Sequence, residues 1–156
     1  MRRITLTSAA LALLLLMLGG VAIAGATPRS QPDDRNARTL RLDVQFSDFF
    51  LVDVGAPNLS LGDYTVFHDL LFSHNRQVGD EGGTCPVVDV SQGLIHCTGT
   101  IRLLGGQITF QGLTTTAPTK QFAITGGTGR YQDASGQGTL VEFGNGRGSL
   151  TLKLRR

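Results

Sequence analysis

Tryptophan is absent from this 156-residue chain, tyrosine occurs twice, and eight phenylalanines carry most of the aromatic load. Charge is scarce too. Asp, Glu, Lys and Arg make up 17% of the residues, below the usual quarter, which argues against a charge-rich disordered tail. Neither sign is in excess: the formal net charge of +2 rests on Arg2 and Arg3, and without them twelve basic residues meet twelve acidic ones. A neutral domain has no large electrostatic reason to hold nucleic acid or an anionic membrane, so no nucleic-acid partner is expected. Two cysteines and three scattered histidines supply no metal-ligand cluster, and neither a metal nor another cofactor is expected. Proline is limited to five residues, whereas glycine reaches 21 with no collagen-like period, which implies tight turns between short strands. The length sets a prior of one domain.

Arg2-Arg3 precedes an apolar run from Ala9 to Ala24, and small residues end it at Ala22-Ile23-Ala24 or Ala24-Gly25-Ala26. This is the composition of a secretory signal peptide over residues 1–26, cleaved after Ala24 or Ala26. A retained anchor is the competing reading, because about 18 apolar residues just span a bilayer. The small residues and the lack of a positively charged stop favour cleavage, and with it a secreted protein without stable membrane association. Residues 27–38 (TPRSQPDDRNAR) are polar, aperiodic and twice interrupted by proline, a disordered linker ahead of a β-domain over 39–156. Cys85 and Cys97 suit an oxidising compartment. A hairpin centred on Ser91 would place them across from each other as a disulfide, and two separate buried thiols are the alternative.

From Leu40 onward the pattern has period two. Leu40, Leu42, Val44, Phe46, Phe50, Val52 and Val54 share one parity, and Asp48 is the carboxylate that breaks it. Further strands are expected over about 63–73, 76–90, 94–103, 107–115, 120–125, 131–143 and 147–154, with a bulge or bend at Gly79-Asp80-Glu81-Gly82-Gly83. No helical periodicity occurs beyond the apolar leader. Eight strands must hide their edges, either by closing into an antiparallel barrel or, in part, as a two-sheet sandwich.

Three blocks then carry a resemblance. Gly62-Asp63-Tyr64-Thr65-Val66-Phe67-His68-Asp69-Leu70-Leu71-Phe72, with Val78-Gly79 and Gly83-Thr84-Cys85, resembles the first conserved block of plant allene oxide cyclases. Gly106-Gln107-Ile108-Thr109-Phe110-Gln111-Gly112 is similar to their middle strand. Ala123-Ile124-Thr125-Gly126-Gly127-Thr128-Gly129-Arg130-Tyr131, continuing through Gly136-Gln137-Gly138, resembles their glycine-rich block and also that of dirigent proteins. The resemblance, to a bacterial-type secreted member, implies an all-β, eight-stranded antiparallel barrel with an apolar cavity, assembled as a dimer or trimer. It further implies a small apolar ligand, with the barrel acting as a cofactor-independent cyclase or isomerase or as a stereo-directing protein. A non-catalytic secreted binding or structural protein with a packed interior is the alternative.

Carried over by position, Asp69 stands where the cyclases have an asparagine that helps hold a water, and Cys85 stands at a pocket-lining cysteine. Their strand-one glutamate has no match beyond Phe46 or Asp48, and Ser135 stands where dirigent proteins have an arginine. These departures argue against allene oxide cyclase activity itself. On the residues, Asp69 among Phe67, Leu71 and Val66 is the candidate catalytic carboxylate, with Asp48 as a neighbour able to share its proton. The bland alternative for each is a turn acceptor or an outer-wall position. Cys85, Tyr131, Phe46, Phe110 and Phe122 are candidate pocket residues, Tyr131 at the cavity mouth. Gly126, Gly127 and Gly129 are structural turn glycines, since no Lys-Ser or Lys-Thr follows them as a phosphate loop requires. An outer-face pair of Arg102 with Glu142 is expected.

Overall fold

The structure, a computed structural model, describes residues 37–155. The expected signal peptide (1–26) and all but the end of the expected linker (27–38) lie outside the described residues. Eight strands follow: β1 (Arg38–Val52), β2 (Tyr64–Ser73), β3 (Arg76–Asp89), β4 (Leu94–Leu103), β5 (Gly106–Thr114), β6 (Thr119–Gly127), β7 (Ser135–Glu142) and β8 (Arg147–Arg155). They close into an antiparallel barrel in chain order. Closure depends on the length of β1. Its first half pairs with β8, from Arg38↔Leu154 to Gln45↔Arg147, and its second half with β2, as far as Val52↔Tyr64. Each of the eight described strands pairs with a neighbour on both sides, which decides between barrel and sandwich.

Alternation along each strand sorts the side chains. In β8, Leu150, Leu152 and Leu154 are buried while Thr151 and Lys153 stand outside the core. Inward residues near the start of β1 pack tightly: Leu42, Val44, Leu71, Ile101, Ile108 and Ile124 belong to one core cluster. A one-turn 3₁₀ helix, Gly129–Tyr131, covers this end, held by Thr128 N–H to Gln107 O (2.8 Å) and Arg130 N–H to Gly105 O (2.8 Å). Tyr131 and Ala134 are buried there, so this end is closed. Loops 53–63, 90–93, 115–118 and 143–146 ring the opposite end, which is open.

The glycine-rich block serves the closed end in two different ways. Gly126 (φ +155°) and Gly129 (φ +57°) adopt left-handed backbone that favours glycine. Gly127 instead supplies space. A Cβ there would lie 2.4 Å from the carbonyl oxygens of both Gln107 and Tyr131.

Two irregularities reset the expected facing. β1 carries a bulge between Phe46, paired with Asp69, and Asp48, paired with His68, so Ser47 is the extra residue. Beyond it the inward parity moves from even to odd numbers: Phe49 and Leu51 line the cavity, and Phe50, expected inward, stands on the outer face opposite the exposed Val66. Of the bulge or bend expected at Gly79–Gly83, the structure has a register slip at its edge, between Gly79 and Gln77, and strand continues through the rest.

Candidate functional site

The open half of the barrel holds a cavity of about 530 Å³. Five phenylalanines line it, Phe46, Phe49, Phe67, Phe110 and Phe122. Glycines on the facing strands let these rings lie against the wall. A Cβ at Gly99 would fall 2.4 Å from the Phe110 ring, and one at Gly138 would fall 2.1 Å from Phe122. Phe110 and Phe122 themselves stack tilted, with centroids 4.6 Å apart. These rings panel a cavity and do not fill the interior.

Asp69 and Glu81 stand on this apolar wall, at its deep end. Asp69 is one inward position above the fully buried Leu71, and its cross-strand partner on β3 is Glu81. Both carboxyls are buried, at 6% and 4% exposure. Burial pushes Asp69 up to about 6, against the opposing pull of the Ser47 N–H and the His68 charge. Burial pushes Glu81 further, to about 8, and the neighbouring Asp69 charge acts in the same direction. The bulge explains the one hydrogen bond. Ser47, displaced from regular pairing, donates its N–H to Asp69 Oδ1 at 3.3 Å. Both shifts run upward, so the pair keeps a proton to higher pH than two separate carboxyls would, which sets a proton donor and an acceptor side by side.

The structure does not bring Asp48 to this pair. The bulge turns Asp48 to the outer wall, where its carboxylate lies 3.9 Å from His68 Nδ1. His68 Nε2 in turn lies 3.3 Å from Asp80, which Arg102 engages through two nitrogens. Arg102 holds the Asp80 carboxyl below the usual carboxylate range. The expected Arg102–Glu142 pair is replaced by two others, since Glu142 accepts from Lys120 Nζ (2.6 Å) inside the cavity wall. Tyr131, expected at the mouth, packs at the closed end instead. Cys85, Phe46, Phe110 and Phe122 do line the cavity.

Cys85 and Cys97 form a disulfide between β3 and β4, and both line the cavity wall. The bridge spans a sequence separation of 12. Replacing both by alanine is expected to lower stability by about 2–3 kcal/mol, read as an earlier midpoint in urea. Asp63 is a structural residue that the strand pattern did not reveal. Buried at the rim, it accepts from Val54 N–H (2.9 Å) and Ser60 N–H (2.7 Å), clamping the loop that carries the lining residue Leu59. Among the described residues no three His, Cys, Asp or Glu side chains converge as a metal site.

The profile of the allene oxide cyclase barrel-like domain matches residues 39–148. The chain belongs to that family. Among solved structures, this allene oxide cyclase-like barrel is similar to a pyocyanin demethylase, at 33% identity and a TM-score of 0.69, over 75% of this chain and 99% of that one. The Diels–Alderase AbmU from Streptomyces koyangensis shares the barrel at 16% identity and TM-score 0.65, over 78% of this chain and 65% of that one. The pterocarpan synthase dirigent protein GePTS1 does so at 18% identity and TM-score 0.57, over 80% and 86%. No curated protein matches the chain. The last two likenesses concern the fold, and one fold hosts several chemistries.

Proposed function

We propose that the barrel takes one small, largely apolar, ring-containing molecule into its open half and acts on it by proton transfer without a cofactor. The supporting observation is the Asp69–Glu81 pair at the deep end of a phenylalanine-lined cavity of about 530 Å³. The pair, which burial makes slow to give up its last proton, is placed to donate to a polar atom of the bound molecule from one carboxyl and to accept or orient a proton beside it with the other. The apolar wall excludes water and fixes the molecule's approach, which suits isomerisation or cyclisation. A second reading, demethylation, is favoured by the 33% identity to a pyocyanin demethylase over nearly all of that protein. The proposal includes export, with a mature chain beginning at Gly25 or Thr27.

Pyocyanin is the first molecule to titrate, with the neutral fluorophore N-phenyl-1-naphthylamine as a second probe. Each is expected to bind once per barrel and to displace the other. Asp69→Asn is expected to leave binding within a few-fold while lowering any turnover of pyocyanin about a hundredfold or more. A barrel that binds neither probe overturns the reading.

A further inference from the structure

Resting on the ligand-binding reading above, we infer that the cavity selects a delocalised aromatic cation over the neutral ring system of the same shape. The ionisable side chains on its wall are unbalanced: Asp69, Glu81 and Glu142 against Lys120. Lys120 is already committed. Its Nζ donates to Glu142 (2.6 Å) and to Ala117 O (2.9 Å), so it gives the deeper carboxyls no partner. Asp69 has one weak N–H donor, from Ser47 at 3.3 Å. Glu81 is 4% exposed, lines the cavity, and among the described residues meets no hydrogen-bond donor. A buried carboxyl without a partner is costly, so the pair lacks positive charge on the cavity side.

A bound cation supplies that charge, and the rest of the wall favours it. Phenylalanine faces attract cations, most strongly when the cation is desolvated. A planar delocalised cation sheds its hydration more easily than a compact ammonium, and it presents both a charge to the carboxyls and a flat apolar face to the rings. Its arrival also changes the protonation of the pair. A positive charge beside Asp69 and Glu81 lowers both pKa values, so binding releases a proton from Glu81 and tightens as pH rises through the Glu81 titration near 8. The other charges that bear on the pair are Glu142 on β7, Lys120 on β6, and His68 and Asp48 on the outer faces of β2 and β1. Of these, Lys120 and Glu142 are engaged with each other on the same wall.

Acridine and 10-methylacridinium are isosteres that differ by a permanent charge, since acridine is neutral at mildly alkaline pH. Fluorescence titration of both into the wild-type barrel at pH 8 is expected to give at least about tenfold tighter binding of the cation. Between about pH 7 and pH 9 its Kd is expected to fall severalfold while that of acridine stays level, across the Glu81 titration. Glu81→Gln is expected to remove the pH dependence and most of the preference for the cation. If that variant does not fold, the wild-type pH series decides the matter alone. Equal affinities for the two probes, or a cation Kd that rises with pH, would overturn the inference and leave the ligand-binding reading standing. Binding of neither probe overturns both.

Discussion

Glu81→Gln is expected to stabilise the barrel at pH 8 and to flatten the pH dependence of its unfolding. In the folded chain the Glu81 carboxyl keeps its proton up to about 8, whereas the ordinary value is 4.5. The folded state therefore binds more protons between those limits, and stability falls as pH rises through them. The contribution is fully present below about 4.5 and gone above about 8. Asp69 acts with the same sign over a lower window, from 3.8 to about 6. For Glu81 the whole change is on the order of 5 kcal/mol, because one pKa unit corresponds to about 1.4 kcal/mol. Glutamine has the shape of the protonated acid and no charge to bury, so it escapes this loss. Urea unfolding of both proteins at mildly acidic and mildly alkaline pH checks the prediction. The two curves should nearly coincide in acid and separate in base. A wild type that grows more stable toward alkaline pH rules out a buried, unpaired Glu81.

Leu71→Ala is expected to cost about 3–5 kcal/mol, whereas Phe49→Ala should cost less than about 1. The larger side chain is the cheaper to remove because the two sit in different halves of the same cylinder. Leu71 is fully buried within the closed half, and its removal leaves a void that rigid strands cannot fill. Phe49 lines the open half and is 69% exposed, so its contacts on one side are already missing. Equilibrium unfolding in urea reads both. Comparable losses would show that the interior is uniformly packed.

Much of the fold is legible in the chain, and the failures have local causes. Leucines alternating with polar residues in β8 and the glycine pairs between strands place all eight strands, and β4 falls on Leu94–Leu103 as read. The sequence pattern cannot report a bulge, since one inserted residue at Ser47 leaves the apolar residues in place and merely exchanges the faces of those that follow. That single residue moves Asp48 outside and Phe49 inside. Asp69 is recoverable because a carboxylate among Val66, Phe67 and Leu71 is conspicuous. Glu81 is hidden by its neighbours, because glycines on both sides make the stretch look like a break. The usable signal was parity. Glu81 shares odd numbering with Cys85 and Val87, both buried, and points inward once the strand runs through.

Strands β1 and β8 meet at Arg38↔Leu154, so the described chain starts and ends behind the closed end, away from the ring of loops. This gives the molecule a rear attachment point. A bead, a fluorophore or a fusion partner coupled at either extremity hangs from the sealed base, and the entrance stays clear for incoming molecules.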